Sequence, residues 1–272
     1  MALRTLFALI LFLSVLTGSA QDSVRYYIHR GTTMAKLGDF PAAVKNLDRA
    51  IALDSLKAEA WYNRGLVRIE TGDYPGAIGD LSRAVRIKQG YPEPWFSRAV
   101  AKDKTGDLNG ALQDYSRAIS LRPDWPEAYL ERGLLWMKKG ENLNAVMDFT
   151  RALQYRPDLA DAFYNRGTAK ALLGRYEEAL QDFDKFLSLY PDDPDALQNK
   201  ALACLHLGKY SDALAGYDRL ITLDPANAEA WTGRGVARQY TEDRAGACLD
   251  WKKALSLGSV KAGTYLEKYC KE

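Results

Sequence analysis

The sequence predicts an all-α solenoid of seven helix-turn-helix units, and three observations lead to that prediction. Residue types recur every 34 residues without insertion, so that alanine stands at the twentieth position of every unit. In six units a glycine follows about fourteen helical positions, and in four a proline follows the second helix. Such a period indicates one array of stacked units rather than a globule with a single core.

The units have equal length and leave short segments at both ends of the chain. They occupy residues 24–57, 58–91, 92–125, 126–159, 160–193, 194–227 and 228–261. Residues 262–272 are expected to form a capping helix, because the apolar face of a terminal repeat has no neighbour to cover it.

Residues 1–20 predict a secretory signal peptide. A short basic start ending at Arg4 is followed by an apolar run up to Thr17 and by small residues ending at Ala20. This order is typical of a signal cleaved after Ala20, and the apolar run is too short to cross a bilayer as a helix. We therefore expect a periplasmic or secreted protein with no inserted membrane segment after cleavage.

The composition argues against several classes of function. The 37 Lys and Arg residues nearly balance the 35 Asp and Glu residues, so no electrostatic attraction to nucleic acid or to an anionic membrane is indicated. Two His and three Cys are too few and too scattered for a zinc site. The chain also lacks phosphate-loop and nucleophile motifs. We therefore expect no cofactor, no metal, no small-molecule substrate and no enzymatic activity.

Small residues at fixed positions predict close contact between the two helices of a unit. The eighth position is always glycine or alanine, and large residues at the fourth position are expected to fill the space beside it. The glycine after the first helix supplies the left-handed residue that ends it. In the seventh unit Glu242 takes the place of that glycine, so we expect an altered turn there.

The repeated pattern resembles the tetratricopeptide repeat. Residues 60–65, which read Ala-Trp-Tyr-Asn-Arg-Gly, carry the resemblance together with Gly72-Asp-Tyr74 and Ala77, and residues 161–179 repeat the pattern. The resemblance covers residues 24–261. It implies a right-handed superhelix whose concave face is formed by the first helices of the units.

One departure from the family pattern predicts a series of ion pairs. An arginine precedes the eighth position in six units, and an aspartate follows sixteen residues later in five of them. The exceptions change together, since the sixth unit has Lys200 with Gly216 and the first has Arg30 with Asn46. We interpret the series as structural pairs between the helices; the alternative is a row of arginines that binds an anionic ligand. The predicted pairs are Arg64–Asp80, Arg98–Asp114, Arg132–Asp148, Arg166–Asp182 and Arg234–Asp250.

The resemblance also places candidate partner-binding residues on the first helices, at the second, fifth, sixth, ninth and twelfth positions. Aromatic and aliphatic side chains on an exposed concave surface are typical of a contact site. At the ninth position, packing on a neighbouring helix is an equally open interpretation. The predicted groove residues are Ile28, His29, Tyr62, Asn63, Leu66, Phe96, Val100, Leu130, Leu134, Tyr164, Asn165, Gln198 and Asn199.

These observations predict a non-catalytic scaffold that holds a peptide or helix of a partner protein in an apolar and aromatic groove. The alternative is a structural component of a cell-envelope complex that binds through its convex face or its ends. The C-terminal run of the chain resembles the end of many exported bacterial repeat proteins. In an oxidising compartment a disulfide between Cys248 and Cys270 is therefore predicted to pin the capping helix.

Overall fold

The computed structural model describes residues 21–270, and every regular element in that range is an α-helix, which confirms the predicted all-α fold. The predicted signal peptide lies outside the described residues. Helix α1 occupies residues 21–36. The helices that follow are α2 (Phe40–Leu53), α3 (Ala58–Glu70), α4 (Tyr74–Ile87), α5 (Pro92–Lys104), α6 (Leu108–Leu121), α7 (Pro126–Lys138), α8 (Asn142–Tyr155), α9 (Ala160–Leu172), α10 (Tyr176–Leu189), α11 (Pro194–His206), α12 (Tyr210–Leu223), α13 (Ala228–Tyr240), α14 (Arg244–Ser256) and α15 (Val260–Tyr269).

The chain divides into two compact units, the first ending at Ala128 and the second beginning at Tyr129. Within each unit a helix packs mainly on the helices next to it in sequence. In the first unit the main pairs are α3 with α4 and α5 with α6; in the second they are α9 with α10, α11 with α12 and α13 with α14. Packing between sequence neighbours is the arrangement expected of stacked repeats.

The turn inside each repeat is built from a left-handed residue and, in most repeats, a helix-capping aspartate. Gly72 has φ +78°, and the side chain of Asp73 accepts a hydrogen bond from the amide of Gly76 at 3.0 Å. The aspartate satisfies one of the free amides at the start of α4. Glu242 keeps the same left-handed conformation with φ +66°, so the expected change of the seventh turn does not occur. Glu242 instead carries the strain that glycine avoids.

The two helices of a repeat touch at a small residue on the first and a large residue on the second. A Cβ atom at Gly235 would lie 2.4 Å from Nε1 of Trp251, and one at Gly133 would lie 2.6 Å from Cε1 of Phe149. The large residue that fills this space is thus at the twenty-fourth position, and not at the fourth as expected. The alanines at the twentieth position are fully buried in all seven repeats: Ala43, Ala77, Ala111, Ala145, Ala179, Ala213 and Ala247.

Tryptophan side chains at the fourth position instead contact the guanidiniums of the arginines that form the ion pairs. The indole of Trp61 donates a hydrogen bond to the carbonyl of Ser55 at 3.0 Å, and the Arg64 guanidinium lies over its ring at 5.0 Å. Trp231 repeats this arrangement with Arg234 at 4.6 Å. The aromatic ring therefore stabilises the cation through its π face.

A salt bridge with two hydrogen bonds links the helices within five repeats. Arg64 donates to Asp80 from Nη2 at 2.6 Å and from Nε at 2.8 Å, and Asp80 is 2% exposed. The hydrogen bond to Asp80 raises the pKa of Arg64. The same two-bond geometry occurs between Arg98 and Asp114, Arg132 and Asp148, Arg166 and Asp182, and Arg234 and Asp250. These guanidiniums already have carboxylate partners, which leaves little to support the anion-binding alternative.

Helix α15 covers the apolar end of the last repeat. It begins at Val260, two residues before the predicted start of the cap. Tyr265 stacks on Trp251 with ring centroids 5.1 Å apart, and a disulfide joins Cys248 of α14 to Cys270 at the end of α15. Both contacts hold the cap on α14.

Candidate partner-binding clefts

Two fifth-position aromatic residues of the predicted groove contact the residue that ends their own repeat. Tyr62 meets Tyr91 edge to face at 5.3 Å, and Phe96 stacks on Trp125 at 4.6 Å. Burial raises the pKa of Tyr62, as expected for a phenol withdrawn from water. Leu130 is only 9% exposed. These aromatic rings are half-buried and already make contacts within the fold, so that a partner also reaches the fifth position stays a prediction.

The same holds for the predicted groove residues of the fifth repeat. Tyr164 lies 5.2 Å from Phe186, and its hydroxyl accepts a hydrogen bond from Nδ2 of Asn199 at 3.2 Å. Burial raises the pKa of Tyr164 as well. Asn165 donates through Nδ2 to the carbonyl of Asp161 at 2.7 Å. Each amide group therefore donates one hydrogen bond through Nδ2 to another residue of the chain, Asn165 at an exposed site and Asn199 at a partly buried one.

The remaining groove residues differ in exposure. Ile28 is half-buried against Val24, whereas His29 is exposed. At the ninth position Val100 is half-buried and Leu134 is 36% exposed. At the ninth position, packing on a neighbouring helix thus describes Val100, and exposure to a partner describes Leu134.

A first cleft lies within the first unit and has a volume of about 370 Å³. Asn63 and Leu66, both predicted groove residues, line it together with Val67. Lys36 and Glu70 line the same cleft and provide one charge of each sign. The surface is therefore apolar with a charge-balanced edge.

A second, larger cleft lies within the second unit, between α11, α13 and the start of α15, with a volume of about 760 Å³. Gln198 is the predicted groove residue that lines it, and Oε1 of its side chain is buried without a hydrogen-bond partner among the described residues. Three well-exposed apolar residues also line this cleft: Leu202 at 44%, Tyr240 at 61% and Val260 at 84%. Exposed apolar side chains gathered at one concavity are characteristic of an interaction site.

Sequence reasoning found only part of this second cleft: Leu202 and Val236 stand at the ninth position of their repeats, which is a candidate position, whereas other lining residues do not. Tyr240 stands at the thirteenth position of its repeat, which was not among the candidate positions, and its ring stacks on Tyr210 at 4.7 Å. Val260 and Tyr265 belong to the capping helix, which was assigned only a covering role. The sequence signal that could have indicated Tyr240 is the apolar residue at the thirteenth position of two repeats, Leu172 and Tyr240.

The described residues show neither a metal site nor a membrane span. No group of three or more His, Cys, Asp or Glu side chains in residues 21–270 is placed to hold a metal ion. In the same range no helix combines the length and the apolar character needed to cross a bilayer.

Comparison with known families accounts for most of the repeats. Models described as tetratricopeptide repeat match residues 30–92 and 149–204, and one described as TPR repeat matches residues 104–140 and 201–239. The chain belongs to the tetratricopeptide repeat (TPR) family. TPR domains are generally protein-interaction modules and are typically non-catalytic. A comparison with curated proteins returned no significant match.

Solved structures of other TPR proteins share the fold. A TPR protein from Parabacteroides merdae is 23% identical with a TM-score of 0.61, over 92% of this chain and 100% of that one. The C-terminal part of a TPR protein from Cytophaga hutchinsonii is 20% identical with a TM-score of 0.69, over 86% and 97%. YrrB, described as a TPR protein with an unusual peptide-binding site, is 23% identical with a TM-score of 0.65, over 69% and 97%.

Proposed function

We propose that this TPR protein is an exported, non-catalytic scaffold that binds an apolar peptide or helix segment of a partner protein. The observation that carries the proposal is the second cleft, where Leu202, Tyr240 and Val260 expose apolar surface around one concavity. Burying such side chains against a partner gives a favourable hydrophobic contribution, and the part that exceeds the entropic cost of association appears as affinity. The TPR fold is compatible with this mode, since YrrB, which shares it, has a peptide-binding site.

The chemistry of the cleft defines the segment that it fits. Tyr240 offers a broad ring, and Leu202 and Val236 add aliphatic surface. Glu229 and Lys261 line the same cleft with opposite charges. We therefore expect a segment with one or two large apolar anchor residues, flanked by polar residues of either sign.

A pair of matched double variants tests this proposal. Leu202→Ser with Tyr240→Ser removes the exposed apolar surface of the cleft, whereas Leu143→Ser with Met147→Ser removes similar surface from α8, the second helix of its repeat. All four side chains are well exposed, so both proteins should remain folded. Partner proteins captured from the source cell should bind wild type and the α8 variant, and calorimetry should show weaker binding to the cleft variant.

The reverse result would support the alternative function. If the α8 variant loses the partner and the cleft variant keeps it, binding occurs through a face built by the second helices, as in a structural assembly component. Tyr62→Ala with Phe96→Ala does not suit this test, because their packing contacts make loss of stability the expected result.

Export has its own measurement. N-terminal sequencing of the mature protein should begin at Gln21 if the signal is cleaved after Ala20. A protein that is isolated from cells with Met1 still present would contradict the proposed signal cleavage and localisation.

A further inference from the structure

The sixth repeat lacks the ion network that other repeats place between their helices. In the second repeat Asp80 receives hydrogen bonds from Arg64 and an ion pair from Arg68 at 3.0 Å. The corresponding residues of the sixth repeat are Gly216, Lys200 and Cys204. The sixth repeat therefore has no side chain at the position of the aspartate. It has a lysine at the position of the first arginine and a neutral thiol at the position of the second cation.

An open cavity of about 690 Å³ lies where these groups are missing, between α10, α11 and α12. We call it the repeat-six cavity. Its apolar lining includes Leu180, Leu197 and Ala201, which are at most 9% exposed, and the thiol of Cys204. It shares no lining residue with the second cleft, so the partner-binding surface proposed above does not account for it.

The other repeats show which chemical group the cavity lacks. Arg234 of the seventh repeat bridges two carboxylates, with one hydrogen bond to Asp218 at 2.7 Å and two to the buried Asp250. Lys200 keeps only the equivalent of the first, an ion pair with Asp184 at 2.7 Å. The inner carboxylate is absent because Gly216 has no side chain. A lysine ammonium has three donor hydrogens, so Lys200 can also donate a hydrogen bond to a second carboxylate.

The rest of the rim favours neither sign of charge. Three acids and three bases line the cavity: Glu177, Asp184, Asp212, Lys200, Lys209 and Arg219. Selection for an anion must therefore come from the local contact with Lys200 and not from a long-range field. The buried aliphatic lining adds a requirement for an apolar portion.

We propose that the repeat-six cavity binds a small monocarboxylate, whose carboxylate takes the place of the aspartate missing at Gly216 and whose short aliphatic chain contacts Leu180 and Leu197. The carboxylate accepts hydrogen bonds from the Lys200 ammonium, as Asp250 does from Arg234 in the seventh repeat. The Lys200 side chain is 38% exposed, so its charge-assisted hydrogen bonds give a modest preference over a neutral molecule of the same shape, and the buried aliphatic lining supplies the apolar contact.

The test uses butyrate as the probe and butyramide as an uncharged control of nearly the same size. Methyl chemical shifts of Leu180, Leu197 and Ala201 are followed by NMR as each compound is added to the full-length protein. Butyrate should produce saturable shifts at these methyls, and butyramide should bind about threefold to fivefold more weakly, the difference that an exposed ion pair supports. No saturable shift with butyrate, or equal affinity for the two compounds, would overturn the proposal.

Three variants locate the site. Gly216→Asp supplies the carboxylate covalently and should abolish butyrate binding. The Cβ atom of the new aspartate would lie 3.0 Å from Cβ of Ala201. The third repeat accommodates the same pair of residues, with Ala99 and Asp114 at the equivalent positions. Lys200→Gln leaves the backbone contact untouched and should also abolish binding. Lys185→Gln, an exposed lysine outside the cavity, should bind butyrate as wild type does. Unchanged binding by folded Lys200→Gln would refute the assignment.

Discussion

Replacing Asp182 by asparagine removes the anion from a buried cluster of charges. Asp182 is 2% exposed and accepts hydrogen bonds from Nη2 of Arg166 at 2.6 Å and from Nε at 2.9 Å. Its second oxygen lies 2.8 Å from Nζ of Lys170. The asparagine has nearly the same shape, so two cations lose their shared anion without a cavity being formed.

The expected cost follows from the burial of the cluster. Removing one partner of a buried pair destabilises a protein by about 3–5 kcal/mol, because the remaining charge stays desolvated. With an m value of about 2–3 kcal/mol per molar urea, this lowers the unfolding midpoint by about 1–2.5 M. Far-UV circular dichroism measures the midpoint, and hydrogen exchange should show lost protection in α9 and α10.

The same unit contains a matched control. Arg219 and Asp192 are also 2.6 Å apart, but their side chains are 50% and 51% exposed. Asp192→Asn should cost at most about 1 kcal/mol, since solvent screens an exposed pair. If Asp182→Asn lowers the midpoint no more than Asp192→Asn, burial does not control the contribution of these ion pairs and the reasoning fails.

Three further predictions concern the turns and the cysteines. Glu242→Gly should stabilise the protein by about 1 kcal/mol in thermal unfolding, because glycine adopts positive φ without strain, and Gly208→Ala should have the opposite effect; destabilisation by Glu242→Gly would contradict the strain argument. Cys270→Ser should cost about 3 kcal/mol through the loss of a 22-residue link to Cys248, with the largest loss of hydrogen-exchange protection in α15; unchanged protection would show that packing alone holds the cap. Burial raises the pKa of the Cys204 thiol, so its alkylation should stay slower than that of the unfolded chain at pH 8 and should accelerate only at higher pH; equal rates in the folded and unfolded chains at pH 8 would contradict this.

Local chemistry made the repeats and their ion pairs predictable from sequence. A glycine at φ +78° and a capping aspartate act within a few residues, so a fixed spacing reveals both. The arginine and aspartate sixteen positions apart vary together between repeats, and this covariation indicates a pair from sequence alone. The turn at Glu242 shows the limit of this reasoning, because a non-glycine residue keeps the left-handed conformation there.

Exposure was not predictable in the same way. Tyr62, Phe96 and Tyr164 share a position in the repeat and would suit a binding groove equally well. Whether such a ring meets solvent or a neighbour depends on the residue that ends its own repeat, such as Trp125, which stacks on Phe96. It also depends on residues of the next repeat, such as Asn199, which donates a hydrogen bond to the hydroxyl of Tyr164. The open positions of the second cleft depend likewise on the capping helix.

The sequence by itself determined the helices, their ends, the length of the repeat and the pairs of charges, because each follows from residue types at short, fixed separations. Only the tertiary structure decided which side chains of the first helices stay open to a partner. It also decided that the missing aspartate at Gly216 leaves a cavity and not a collapsed contact. Both outcomes depend on how neighbouring helices fill the space between them, and that packing involves side chains whose sizes and rotamers the repeat pattern leaves free.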